Sequence, residues 1–299
     1  GHTTDRKDGG IMSFPQPIDL GGVRVRLLDG GPLKLDGGAM FGIIPKPVWS
    51  RSTPADADNR IQLACNCLLV EWEGETARRA LIETGRGAKY REKEQSFFDI
   101  NPESWLLPSM RRAEIDPLTI TDVVLTHLHF DHAGGLTRYD GERLAPTFPN
   151  ARVHVQEREL DDARANFGIM TATYRPQNFN AITDAGAWRP LSGAGEILPG
   201  IHTLPTPGHT RGHQTILVVG RDRTLAYTGD VMPTAAHVGA AYNMAYDLFP
   251  LDNRDSKRAL LERAAREDWL LAFDHEPHTP IVRVRADGDW FGIEPRVDA

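Results

Sequence analysis

The run Val123-Val124-Leu125-Thr126-His127-Leu128-His129-Phe130-Asp131-His132-Ala133-Gly134-Gly135 constrains this chain more than any other stretch. An apolar, β-branched beginning leads straight into three histidines and an aspartate, then into two glycines. Residues 123–125 read as a short buried strand, because brief apolar runs bounded by breakers favour that state. The polar residues then fall at the strand's carboxyl end and in the loop beyond it, where α/β sheets present their chemistry. His127 and His129 are two apart, so an extended backbone sends both rings to the same side. Asp131 and His132 follow once the chain turns and can face a second point. Imidazole nitrogens and a carboxylate suit zinc, iron, manganese or cobalt. The spacing His-x-His-x-Asp-His reads as two half-sites sharing one loop, a dinuclear arrangement.

Three later positions extend the pattern. Leu204-Pro205-Thr206-Pro207-Gly208-His209-Thr210-Arg211-Gly212-His213 reads as a strand ending at a Pro-Gly turn from which His209 emerges. Residues 224–228 read as a strand ending at Gly229-Asp230, and residues 270–273 as one delivering Asp274-His275-Glu276. In this order the residues resemble the metal-binding pattern of the metallo-β-lactamase superfamily. The resemblance implies that His127, His129 and His209 hold one cation, that Asp131, His132 and His275 hold a second, and that Asp230 bridges them. It implies two divalent ions per chain, zinc foremost, with iron, manganese or cobalt as alternatives. His213 would support the ligands, as metal-bound imidazoles and their neighbours require. Glu83-Thr84-Gly85 stands where relatives carry an Asp-Thr-Gly that supports the metal loops. The implied fold is an α/β class four-layer αβ/βα sandwich, two sheets face to face with helices outside and the metals between the sheet edges. Residues 20–299 then form a single domain, because neither half holds a complete site. Residues 1–19 are expected to be a flexible segment, with Gly1-His2 resembling a tag remnant.

Further segments narrow the resemblance. Asp36-Gly37-Gly38-Ala39-Met40-Phe41-Gly42, Pro45-Lys46-Pro47, Asp230-Val231-Met232-Pro233-Thr234 and Ala245-Tyr246-Asp247 are similar to the YtnP-like, N-acyl-homoserine lactonase branch. This implies a quorum-quenching hydrolase that opens a lactone ring with a hydroxide held between two metals, a protonated Asp131 helping the leaving oxygen. Alternatives are a promiscuous organophosphate triester or aryl ester hydrolase and a glyoxalase II-like thioesterase. A mononuclear iron dioxygenase using only His127, His209 and Asp230 is a non-hydrolase alternative. No basic cluster for glutathione carboxylates is evident in the carboxyl-terminal tail. Met40, Phe41, Ile44, Phe130, Met232, His237 and Tyr246 are expected to line the substrate pocket, and the apolar 40–49 loop to line it across a homodimer interface. Known lactonases of this fold place a tyrosine donor three positions after the bridging aspartate, where this chain has Pro233. His237 is the first expectation for the missing donor, with Tyr246 in reserve.

Composition is ordinary for a soluble globular protein. Hydrophobic residues make up 40% and charged residues 25% of 299 positions. A net charge of -7 argues against a nucleic-acid partner. No apolar run reaches 18 residues, so no membrane span or partner is expected. The two cysteines, Cys65 and Cys67, are spaced for neither a disulfide nor a zinc knuckle and read as packed thiols, which suits a reducing, cytoplasmic setting. Elsewhere, strands are expected at 23–28, 33–35, 63–72, 79–82, 152–155 and 215–219, with a hairpin at 281–293. Helices are expected at 102–113, 157–165 and 255–268. His154 reads as structural and His278 as a surface residue, while 166–190 shows no dominant period.

Overall fold

The computed structural model describes residues 16–168 and 172–296. Among them, two seven-stranded sheets each run in chain order. The first contains Ile18–Asp19, Val23–Asp29, Asn66–Trp72, Arg79–Ile82, Asp122–Val124, Arg152–Gln156 and Trp188–Leu191. The second contains Gly195–Leu198, Ile201–Pro205, Gln214–Val219, Thr224–Tyr227, Leu270–Ala272, Ile281–Asp287 and Trp290–Pro295. The last four strands of the first sheet pair in parallel. In the second sheet Thr224–Tyr227 and Leu270–Ala272 are parallel, and the helix Pro250–Glu267 makes the crossover that such a pair needs.

Side-chain alternation explains the layers. Leu68, Val70, Ile82 and Val124 point inward and meet Ile216, Val218, Tyr227 and Leu270 between the sheets. Their neighbours Leu69, Leu81 and Val123 point outward onto Leu106, Met110 and Leu160. On the other side Leu217, Ala226 and Leu271 pack under Leu260, Leu261 and Ala264 of the long helix. Strands buried on both faces read as continuous apolar runs. That is why the 123–125 run shows no alternation. The expected αβ/βα sandwich is the observed fold.

Several boundaries differ from expectation, each for a local reason. The expected 63–72 strand is two, Arg60–Leu63 and Asn66–Trp72. Between them the chain leaves the ladder: Ala64 N–H donates to His275 O and Asn66 N–H to Asp274 O. The break therefore ties the first half to the loop that carries His275. The long helix begins at Pro250 rather than 255, since proline is well placed in a first helical turn. The 102–113 helix shortens to Leu106–Arg112. The 36–49 stretch contains two short helices, Gly37–Phe41 and Lys46–Trp49, and Glu92–Phe98 is a further helix that the pattern did not signal. The 166–190 stretch supplies a short helix, Asn180–Asp184, and the edge strand Trp188–Leu191. Of the expected flexible 1–19 segment, residues 1–15 lie outside the described residues. Ile18–Asp19 is a paired strand, a correction to that boundary, because Ile18 buries in the inter-sheet core.

Candidate metal centre

The strand Asp122–Val124 ends just before Thr126, and the short helix Phe130–Ala133 starts at once after His129. This turn is what separates the first two histidines from Asp131 and His132. The glycines that follow let the loop press onto its neighbours. A Cβ at Gly134 would lie 2.1 Å from Arg86 O, and one at Gly135 would lie 2.1 Å from Thr84 O. No larger residue fits either position without moving backbone.

The ligand atoms form two buried groups, His127, His129, His209 and Asp230, and Asp131, His132, Asp230 and His275. In the first, His129 Nδ1 lies 3.1 Å from both His127 Nε2 and His209 Nε2. Asp230 Oδ2 is 3.0 Å from His209 Nε2 and 3.6 Å from His127 Nε2. In the second, His275 Nε2 is 3.1 Å from Asp131 Oδ2, 3.2 Å from Asp230 Oδ1 and 3.3 Å from His132 Nε2. Tetrahedral ligands about 2.1 Å from a zinc-sized ion stand about 3.4 Å apart, close to this spread. Three nitrogens facing one another cannot all be satisfied by hydrogens, whereas one cation satisfies every lone pair. Asp230 Oδ1 is buried without a hydrogen-bond donor, although His275 Nε2 is near it. Burial also holds His127 and His129 well below the usual imidazole range, in the neutral form that coordinates. The donor set fits two divalent ions sharing Asp230.

Five of the seven ligands, His127, His132, His209, Asp230 and His275, are oriented from behind. Glu83 holds His132 through Nδ1 and accepts from Thr126 N–H at 2.5 Å. Glu83 adopts a left-handed backbone, φ 67°, which aims its carboxylate inward. Thr126 Oγ1 meets His127 Nδ1 at 2.9 Å, and Ala64 O accepts from His275 Nδ1 at 2.7 Å. His213 is fully buried and pushed down to about 3, mainly by burial. Its Nε2 therefore accepts from Asp230 N–H at 3.0 Å and fixes the bridging residue. His154 pairs with Asp122 at 2.8 Å and is structural, and His278 is exposed.

Two supporting acids were not singled out from the sequence. Asp247 Oδ1 accepts from His209 Nδ1 at 2.8 Å, and its Oδ2 accepts from Met244 N–H at 3.0 Å. Glu159, buried on the helix Glu157–Ala165, accepts from Leu128 N–H, from Tyr174 Oη–H and from Thr210 Oγ1–H at 2.7–3.0 Å. It thereby clamps the 127–132 loop to the 209–213 loop. A polar residue on the buried face of an amphipathic helix was its available signal.

The expected substrate residues separate into two sets. Met40, Phe41 and Met232 are closed into the core, with Met40 and Phe41 packed on Trp49, Ile61 and Met244. Of that loop's large apolar side chains, Ile43 and Val48 are exposed. His237 is a correction: it is 0% exposed, with Nε2 donating to Met40 O at 2.7 Å and Nδ1 accepting from Thr234 Oγ1 at 2.6 Å. Its ring stacks on Phe41 at 4.8 Å, so no nitrogen remains for a substrate. Ile44 and Tyr246 are half-buried, and Phe130 lies beside the ligands His129 and Asp131. Burial, with Asp36 and Asp131 nearby, pushes the Tyr246 hydroxyl up to about 12. It is a neutral donor at any physiological pH. Cys65 and Cys67 are buried free thiols.

Comparison with known proteins agrees with this geometry. Residues 60–275 match the profile of the Metallo-beta-lactamase superfamily. An N-acyl homoserine lactonase from a Bacillus species is 30% identical over 57% of this chain, which spans 63% of that relative's length. A probable metallo-hydrolase of Mycobacterium tuberculosis is 24% identical over 73% of this chain and 76% of its own. Among solved structures, a probable metal-dependent hydrolase from Staphylococcus aureus superposes with a TM-score of 0.83 at 28% identity, covering 94% of this chain and all of the other. AidC, a dizinc quorum-quenching lactonase in complex with a product N-hexanoyl-L-homoserine, has a similar fold, with a TM-score of 0.77 at 19% identity over 95% of this chain and 98% of its own. With the ligand set assembled and the match covering most of the chain, the protein belongs to the metallo-β-lactamase superfamily.

Proposed function

We propose that the protein opens the lactone ring of N-acyl-homoserine lactones, using two divalent ions of which zinc is the first candidate. The observation that supports this most is the pair of ligand groups sharing Asp230, in a chain whose relatives include lactonases. When bound, two such ions supply an acidified water and polarise the scissile carbonyl. The chain's own residues do the rest. His213 and Asp247 hold Asp230 and His209 in place. Asp131 is the candidate for passing a proton to the leaving ring oxygen.

Tyr246 takes the donor role in this reading. Ala245 N–H donates to Ala39 O at 2.8 Å, and Leu248 N–H to His209 O at 3.2 Å, so the segment carrying Tyr246 is pinned on both sides. Its phenol stays protonated and can donate to the substrate oxygen that gains charge. The organophosphate ester reading shares this chemistry, and the ligand set does not favour it over lactones. The test is turnover of N-hexanoyl-L-homoserine lactone, 4-nitrophenyl butyrate and paraoxon by one metal-analysed preparation. A kcat/KM for the lactone below that for both other substrates would overturn the assignment. Homodimerisation and a cytoplasmic setting belong to the same proposal. No helix among the described residues is long and apolar enough to cross a membrane.

A further inference from the structure

We propose that a cavity beside the metal centre is a carboxylate-binding subsite built around Lys89 and Arg175. The cavity measures about 680 Å³, and Lys89, Tyr90, Arg91, Glu94, Arg175 and Gln177 are among its lining residues. Three cations face one acid there, in a chain whose net charge is -7. A local positive excess against that background selects for anions.

The two inner cations have donors to spare. Lys89 is buried, and its ammonium donates to Gly134 O and to Thr137 O, leaving one of its three hydrogens. Arg175 uses Nε on Ala172 O at 3.0 Å and one terminal nitrogen on Glu94 at 3.0 Å. Its other terminal nitrogen has no acceptor among the described residues. Burial, then the nearby Arg175, pushes the Lys89 ammonium down to about 7. Two cations so close in a partly closed space destabilise each other, and an anion between them relieves both. A carboxylate can meet the free edge of Arg175 and the remaining Lys89 hydrogen together.

The cavity is one side chain away from the ligands. Arg175 lies over the Phe130 ring at 4.8 Å and over the Tyr90 ring at 5.4 Å. Phe130 sits between His129 and Asp131 in sequence, and Tyr174 packs on the His129 ring at 4.9 Å. The same short segment therefore touches the metal loop and supplies the subsite's central charge. The bound carboxylate comes either from the far end of an ester or lactone substrate or from a separate small acid.

Calorimetry with glutarate, against glutaramide as the uncharged control, tests the site on metal-loaded protein. Glutarate alone should bind, and about tenfold more weakly to Arg175→Gln and Lys89→Met. Lys89 is buried and its replacement can disturb folding, so Arg175→Gln, at a half-buried position, carries the result. Kinetics then separate the two sources. If the tail of the substrate is held, kcat/KM for mono-4-nitrophenyl glutarate exceeds that for its methyl ester about tenfold, the ratio falls towards one in Arg175→Gln, and glutarate competes. If a free acid is held, glutarate alters turnover of the methyl ester without competing. Glutarate that binds no better than glutaramide, with a kinetic ratio of one, would overturn the proposal. Neither arm uses a lactone, so lactonase activity succeeds or fails independently.

Discussion

Single residues decide which donors the site can use. His237 and Tyr246 both follow the bridging aspartate on an irregular segment, and only burial separates them. His237 is locked between Met40 O and Thr234, whereas Tyr246 keeps a neutral hydroxyl near Asp131. Tyr246→Phe should lower lactone kcat/KM about 100-fold, roughly 2.7 kcal/mol, with metal content unchanged. Equal kinetics in wild type and variant would remove Tyr246 from the reaction. His237 instead affects stability. Burial pushes its imidazole down to about 4, below the ordinary value of about 6.5, so the unfolded state takes up a proton first as pH falls. Its contribution is fully present above about 6.5 and is lost between there and about 4, a loss on the order of 3 kcal/mol. Urea unfolding at pH 7.5 and pH 4.5 should therefore show a smaller acid loss in His237→Gln than in wild type. An identical loss in both would show that His237 does not carry it.

At the scale of elements, the ligand loops are held by side chains from segments far away in sequence. Asp247 holds His209 from the 240s loop, and its removal should weaken binding of the first metal by about 10–100-fold, as loss of such partners does elsewhere. Competition with a chromophoric chelator measures this for Asp247→Ala; unchanged affinity would make the contact incidental. The loop has its own fastener. Lys257 is buried on the long helix and donates to His237 O, Gly239 O and Tyr242 O at 2.7–3.1 Å. Lys257→Met leaves three carbonyls without that donor and should cost at least about 2 kcal/mol in denaturant midpoints. A smaller cost would mean that water replaces the ammonium. Neither role was marked in the sequence: Asp247 stood only within a quoted loop segment, and a lysine on a helix face looks the same whether it meets solvent or a loop.

For the whole molecule, the two sheets place ligands from both halves in one cleft. The first sheet's loops carry His127, His129, Asp131 and His132, and the second sheet's carry His209, Asp230 and His275. Metal binding should thus staple the halves. Stripping both ions with a chelator should lower Tm by roughly 8–16 °C, taking about 4 kcal/mol in total for metals present far above their Kd. Metal analysis of the replete protein should give close to two ions per chain, and a value of one would remove the dinuclear reading.

The sequence alone determined the strand at 123–125 and the ligand-bearing loop that follows it, because local period, breakers and ligand spacing all act within a dozen residues. The short helix Phe130–Ala133 in that loop came from the structure. The order of His209, Asp230 and His275, read through a family resemblance, supplied the remaining ligands and the sandwich. Tertiary structure alone decided which polar groups back them, that Met40, Phe41 and His237 are closed into a core, and that Lys89 and Arg175 line one cavity. Burial and long-range pairing depend on the packing of segments distant in the chain, and neither leaves a mark on the residues nearby. Thus Asp247 and Glu159 looked like ordinary acids until the fold brought His209 and Thr210 to them.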